Sequence, residues 1–291
     1  MLAYVFPGQG SQKRGMGGRL FDEVPEYREV EAKVDHLLGY SMRRLCSEAS
    51  EEQLRDTQYT QPALYVVNAL HYYAGLARGE RPTHVAGHSL GEYNALLAAG
   101  CFDFLTGLSL VRERGRILGQ AKNGGMAAVI GMDGVRVAAV LRTAGLSSVD
   151  IANYNSPSQI VISGPRADVE RASQPLERAG ARMCLPLPVS AAFHSRYMAD
   201  AKVAFGQFLR TYEFRKPVLP VISNVSAEPY PTHEPTETIR GLLVEQITSP
   251  VQWVKSIAYL RAVGVSVFKE IGPGTVLTRL IEQIPPQAKA G

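Results

Sequence analysis

The sequence predicts an α/β protein in which a mostly parallel sheet is assembled from two separate chain segments, with a small α+β unit inserted between them. Two observations carry this prediction. Short apolar runs alternate with helical patterns along most of the chain, and between residues 124 and 190 that alternation gives way to a different order of elements.

The opening LAYVF is an apolar run that stops at Pro7 and Gly8, as a buried strand feeding a loop does. THVAG at 83–87 is a second such run and leads straight into LGEYNALLAA, a helical pattern stopped by Gly100. Asp103 can cap a further helix whose Phe104, Leu108, Val111 and Leu118 keep the helical period. Later, VLPVIS (218–223) and VSVFKEI (265–271) read as strands, with helices near 236–247, 250–263 and 274–284. Short apolar strands alternating with helices imply a parallel sheet covered on both faces.

Inside the insert, MAAVIGM, a helical stretch at 134–144, VDIANY, SQIVISG, a helix at 166–179 and ARMCLPL follow one another. Strand, helix, strand, strand, helix, strand is the order of the split βαβ, or ferredoxin-like, unit. The expected division is a main domain of 1–123 and 191–291 and a ferredoxin-like subdomain of 124–190, with Gly124-Gly125 and Pro186/Pro188 as hinges. Residues 226–236, with Pro229, Pro231 and Pro235, read as a surface loop, residues 286–291 are expected to fray, and there is no internal repeat.

Composition narrows the function classes. A net charge of +4 with scattered Lys and Arg lacks the footprint of a nucleic-acid binder, though it suits anionic ligands. No long apolar run and no basic-then-apolar N-terminus occurs, so neither a membrane span nor a secretory signal is expected, and the protein reads as cytoplasmic. Cys46, Cys101 and Cys184 are far apart and without neighbours at metal-ligand spacing, which predicts buried free thiols. Neither metal nor redox cofactor is implied.

Gly87-His88-Ser89-Leu90-Gly91 is G-x-S-x-G between an expected strand and an expected helix, the setting of a nucleophile elbow and of an α/β-hydrolase-like main domain. Small residues around Ser89 let the backbone turn sharply and present Oγ beside helix N-terminal amides, which can stabilise an oxyanion. A serine needs a base, and six histidines are available. His88 adjoins the nucleophile and points away from it, which suits a structural or site-lining role. His36, His71 and His233 have no motif around them, and His84 falls within a strand. His194, in VSAAFHS, stands where the chain re-enters the main domain and can overhang a cleft; the alternative is an ordinary, partly buried histidine. Pro7-Gly8-Gln9-Gly10-Ser11-Gln12 lacks the third glycine of a dinucleotide loop and the G-K-[ST] of a phosphate loop. It either aims an amide at the site or forms a plain turn.

FPGQGSQ at 6–12, TQPAL at 60–64, GHSLGE at 87–92, RGR at 114–116, NSPSQIVISG at 155–164, FHS at 193–195, SPVQW at 249–253 and EIGPG at 270–274 together resemble the malonyl-CoA:acyl carrier protein transacylase family. Within it, GSQKRGMGGRLFD and DTQYTQPALYVVNAL look most like the free-standing acyltransferases that load modular polyketide synthases in trans. The resemblance implies Ser89 as nucleophile and His194 as its base, oriented by the backbone carbonyl of Gln246. It also implies an oxyanion hole from the backbone N–H groups of Gln9 and Leu90, and Arg114 as the ligand of the malonyl carboxylate. Periodicity does not select Arg114, since Arg112 and Arg114 flank the apolar face about equally and Arg116 lies farther round. Without the resemblance, Gln246 reads as an exposed helix glutamine. Phe193 resembles malonyl-selective members, where its bulk leaves no room for a 2-methyl branch; simple core packing is the alternative. Gln61 and Gln159 are implied to line the acyl pocket with His88, and Trp253 reads as core.

The implied reaction moves malonyl from malonyl-CoA through a seryl-enzyme to the phosphopantetheine thiol of an acyl carrier protein, with polyketide synthase modules as further partners. The same reaction in fatty-acid synthesis is the near alternative. A serine thioesterase or hydrolase is another; it requires an acidic third member, which no pattern in the sequence picks out, with Asp200 left open. A non-catalytic carrier-docking module is the alternative from a different class.

Overall fold

The computed structural model describes residues 1–286. Of the stretch expected to fray, 287–291 lie outside the described residues.

β1 (Leu2–Phe6), β2 (His84–Gly87), β7 (Val221–Ile222) and β8 (Val267–Glu270) form a four-stranded sheet in the order β7-β2-β1-β8, parallel throughout. The apolar runs are explained by burial on both sides. Tyr4, Phe6 and Val85 enter one core with the helices Thr57–Ala77, Gly91–Ala98 and Phe104–Gly119, while Ala3, Val5, Ala86 and Ile222 enter another with Trp253–Ala262 and Val276–Glu282. An α/β fold with a parallel sheet is thus as the sequence predicts. VLPVIS shrinks to two paired residues because Pro220 has no N–H to offer a ladder, and only its carbonyl is used, by Val85 N–H at 3.0 Å.

The stretch 13–82, for which the sequence pattern names no element, is helical. Five short segments run from Leu20 to Arg55, and Asp56 then caps the 21-residue helix Thr57–Ala77 by accepting from Gln58 N–H at 3.1 Å. Residues on every side of that helix are buried, so it carries no amphipathic stripe to read.

β3 (Gly124–Ile130), β4 (Asp150–Ser156), β5 (Gln159–Pro165) and β6 (Met183–Pro186) form a second sheet, order β4-β5-β3-β6, antiparallel at each pairing. The helices Gly134–Thr143 and Arg166–Arg178 cover one face of it through Val137, Leu141, Val169 and Leu176. Its other face, with Met126, Ala128, Ala152 and Val161, turns toward Leu187, Val189 and Phe193 and closes over the nucleophile.

Three of the four residues expected at hinges lie in strands, and Pro188 lies in the connection after β6. Gly124 and Gly125 are paired residues of β3 and Pro186 belongs to β6. A Cβ at Gly124 would lie 2.2 Å from Ala192 N, so the entering and leaving chains are pressed together, and Gly124 N–H donates to Ser190 O at 3.0 Å. On the opposite side β4 is bonded to the main sheet's own connection: Tyr154 N–H donates to Val251 O and Val251 N–H to Ala152 O, both at 2.9 Å.

The three cysteines are free and buried, Trp253 is core, and no helix among the described residues is long and apolar enough to cross a membrane. Two glycine substitutions test how the main fold is packed. Gly87→Ala places a Cβ 1.9 Å from the Gly91 carbonyl carbon, and urea unfolding should show a loss of about 3 kcal/mol or more. Gly241→Ala, on the exposed face of Pro235–Glu245 with nothing within 4 Å, should gain about 0.5–1 kcal/mol in the same measurement.

Candidate active site

The site begins with missing side chains. A Cβ on Gly91 would lie 2.0 Å from Phe6 O, and one on Gly8 would lie 2.4 Å from His88 O. With hydrogens there instead, the loop after β1 and the turn after β2 meet backbone to backbone, which brings Gln9 beside Leu90. Neither the Gln9 nor the Leu90 N–H has an acceptor within the hydrogen-bond network of the described residues. Asn68 holds the loop by donating to Pro7 O at 3.0 Å.

Ser89 occupies the turn with φ of 51°, a conformation unfavourable for a residue with a Cβ. Asn224 offsets it. Its Oδ1 accepts from Ser89 N–H at 2.7 Å and its Nδ2 donates to Gly87 O at 2.6 Å, so one buried amide clamps both sides of the elbow. The helix Gly91–Ala98 starts directly behind and points its positive end at Ser89.

His194 also has a positive φ, 56°, and its Nε2 lies 2.8 Å from Ser89 Oγ. Its Nδ1 faces two main-chain carbonyls, Gln246 O at 3.0 Å and Ser249 O at 3.1 Å. Carbonyls only accept, so Nδ1 carries the proton and Nε2 presents its lone pair to the serine hydroxyl. Burial, then the nearby Arg114 charge and His88, hold the His194 pKa at about 3, so the ring is neutral at ordinary pH. No carboxylate orients it, and Asp200 is exposed in the first turn of Ala199–Leu209.

Of the three arginines, Arg112 and Arg116 are exposed and Arg116 pairs with Glu113, whereas Arg114 is 2% exposed. Its guanidinium donates to Gln61 Oε1 and Gln246 Oε1, each at 2.8 Å, and to Ser89 Oγ at 3.2 Å, with the Tyr93 ring alongside. Burial lowers its pKa, yet an arginine remains charged. Gln246 is buried, contrary to an exposed helix glutamine: it stands at the C-terminal end of Pro235–Glu245 and all of its polar atoms are engaged below the serine.

Gln9, Gln61, His88, Ser89, Leu90, Arg114, Phe193 and His194 line one cavity of about 110 Å³, which Met126 of β3 and Leu187 and Val189 after β6 close from the side of the second sheet. His88 is held neutral by burial and hydrogen-bonded to Asn155 Oδ1 at 2.8 Å, with its ring against Trp253. Gln159 is not brought there. It pairs with Ile130, four residues beyond Met126 along β3, which is roughly 13 Å farther from the cavity.

The sequence reading missed Glu92, Asn224 and Ser249. Glu92 carried a signal, being the one charge in LGEYNALLAA, and Ser249 opens the SPVQW motif, but its role is played by a main-chain carbonyl that residue type does not reveal; Asn224 carried none. Among the described residues no group of three or more His, Cys, Asp or Glu side chains is placed to hold a metal ion.

A nucleophile, a neutral base, candidate oxyanion donors and a buried cation around one small cavity suit acyl transfer from a substrate bearing a carboxylate. A family model described as the acyl transferase domain matches residues 3–289. The chain belongs to the acyl transferase domain family. This acyl transferase domain is 52% identical over 292 residues to the polyketide biosynthesis malonyl CoA-acyl carrier protein transacylase of Bacillus subtilis (strain 168), covering 100% of this chain and 99% of that one. The crystal structure of a malonyl CoA-acyl carrier protein transacylase from Burkholderia pseudomallei matches it with a TM-score of 0.92 and 47% identity, over 100% of this chain and 99% of that one. A structure of a type II polyketide synthase acyl-carrier protein in complex with its malonyl-transacylase matches with a TM-score of 0.91 and 36% identity, over 97% of this chain and 92% of that one.

Asn224→Ala leaves Ser89 N–H and Gly87 O unpaired in a dry site. It should lower stability in urea by on the order of 2–4 kcal/mol and slow labelling of Ser89 by an organophosphonate.

Proposed function

We propose that this chain is a malonyl-CoA:acyl carrier protein S-acyltransferase that works through a malonyl-seryl intermediate and serves polyketide assembly in trans. The observation that carries the reading is one cavity holding both the Ser89–His194 pair and the Arg114 guanidinium. The kinship with the polyketide transacylases supports the pathway.

In the first half-reaction, Ser89 Oγ attacks the thioester carbon while His194 Nε2 takes the hydroxyl proton. The oxyanion is received by the backbone N–H groups of Gln9 and Leu90, and the imidazolium is stabilised by the Gln246 and Ser249 carbonyls. Collapse breaks the C–S bond, and the departing thiolate takes the proton from Nε2. The second half-reaction reverses these steps with the carrier's thiol. Arg114 has donors already directed toward Ser89 Oγ, so the distal carboxylate of malonyl replaces a contact that the empty site makes with the nucleophile. Phe193 limits branching at C2, and the small cavity excludes water while the ester persists.

A wider cleft of about 870 Å³ reaches His194 between β4 with its preceding helix and the segments around 194–202 and 248–250; it carries Arg142, Arg196 and Lys202 along its walls, the last two paired with Asp150 and Glu245. It suits the anionic phosphopantetheine arm of the donor or of the carrier. The main domain is α/β-hydrolase-like, and 124–190 is a ferredoxin-like subdomain, supported by two helices on one face of the β4-β5-β3-β6 sheet. In this reading malonyl-CoA is a substrate and the chemistry calls for neither metal nor cofactor, and a cytoplasmic location suits its two substrates.

Intact mass spectrometry after adding malonyl-CoA should show one malonyl group on the wild type and none on Ser89→Ala; equal labelling of both would refute the intermediate. Arg114→Ala should lower kcat/KM for malonyl loading about 10- to 100-fold while sparing or improving acetyl loading. An unchanged malonyl/acetyl ratio counts against the carboxylate clamp.

A further inference from the structure

Directly beneath the nucleophile lies a carboxyl group that the mechanism above does not use. Glu92, three residues beyond Ser89 in the helix Gly91–Ala98, is 1% exposed. One of its oxygens accepts from Tyr230 OH at 2.6 Å and from Asn224 N–H at 3.1 Å; the other accepts from Gln246 Nε2. The same Gln246 nitrogen donates to Ser89 O at 3.1 Å, while Gln246 Oε1 accepts from Arg114 and its main-chain carbonyl accepts from His194. An amide has a donor end and an acceptor end; Arg114, which only donates, meets the acceptor end, and the Ser89 carbonyl and the Glu92 carboxylate, which accept, meet the donor end.

We propose that Glu92 is a positioning residue for acyl transfer, whose carboxylate anchors the Gln246 amide so that this one residue directs both the His194 ring and the Arg114 guanidinium. Without that anchor the donor end of the amide is held by the Ser89 carbonyl alone, and the Gln246 side chain is less firmly set against Arg114. The carboxylate is also the buried negative charge nearest to Arg114, and it balances the cation in a site where water does not screen it. The charged and titratable groups around Glu92 are Arg114 from Phe104–Gly119, Tyr93 from its own helix, and Tyr230, with Cys101 behind the latter. Burial pushes the Glu92 pKa up to about 7, against the opposing pull of the Tyr230, Gln246 and Asn224 hydrogen bonds and of Arg114. His194 titrates far lower, at about 3, so an acid limb near neutrality in the acylation rate belongs to Glu92 and not to the base.

The inference rests on the malonyl-transfer reading for its substrate readout, so two assays run in parallel on the full chain: seryl-malonyl formation from malonyl-CoA across pH, and Ser89 labelling by an organophosphonate, which needs no acyl substrate. The wild type should show an acid limb centred near pH 7 in malonyl loading. Glu92→Gln, locked in the uncharged form, should lose that limb, and at pH 8 its kcat/KM should lie about tenfold or more below wild type, with a raised KM, a fallen malonyl/acetyl ratio and slower organophosphonate labelling. Tyr230→Phe keeps the carboxyl but removes a donor to it, and should move the limb to higher pH. It also decides the matter if Glu92→Gln fails to fold. A folded Glu92→Gln with wild-type rate, selectivity and pH profile, or a Tyr230→Phe limb that does not move, overturns the proposal. A wild type that takes up no malonyl while its Ser89 reacts with the organophosphonate overturns the functional reading instead.

Discussion

Two stretches of main chain, the loop after β1 and the turn after β2, touch with no side chain between them. That contact needs hydrogens at Gly8, Gly87 and Gly91 together, because a Cβ at any of the three would fall within 2.4 Å of a backbone atom of the opposing segment or of the following turn. Parallel pairing of β1 with β2 brings the strand ends level, Phe6 opposite Gly87, and the glycines then let the two loops close on each other. The serine's strained turn, the amides beside it and the start of the next helix all follow from that closure. Asn224, arriving from the end of β7, fixes it from the far side.

Around this frame the chain buries charge, which is unfavourable unless each group finds a partner. Arg114 and Glu92 do so through Gln246, whose side chain lies between them and whose carbonyl orients the base. A neutral carbonyl in place of a third carboxylate leaves the imidazole without a fixed negative neighbour, and burial beside a cation then keeps it unprotonated. The serine-histidine pair and the substrate-binding arginine are therefore parts of one electrostatic arrangement.

Much of this was legible from the sequence, for reasons that can be named. The strands with the clearest signal, β1, β2, β3 and β5, coincide with apolar runs because they are buried along nearly their whole length, whereas β4 (DIANYNS) and β8 (VFKE) carry polar residues and are less covered. Ser89 is marked by its flanking glycines, whose spacing reflects the sterics of the elbow. The long helix Thr57–Ala77 escaped notice because burial on every side erases the period that reveals a helix. Arg114 could not be told from Arg112 and Arg116 by position on a helical wheel; the difference lies in Gln61 and Gln246, which arrive from elsewhere in the chain. Gln246 was misread from pattern alone because the end of a helix can turn inward once its neighbours supply partners. Gln159 was placed at the site by its motif, and the strand register carries it away.

The backbone bonds between β4 and Val251 have a further consequence. The inserted sheet is fastened to the rest of the protein at its entry, its exit and this lateral seam, and Asp150 adds an ion pair to Arg196, two residues past the base. Exchanging residues 124–190 between relatives as a cassette would therefore divide a shared strand ladder and a paired charge. A chimera that keeps its catalytic register must carry the segment around Arg196 and the turn at 249–253 along with the insert, so the unit of recombination in this fold is larger than the visible insertion.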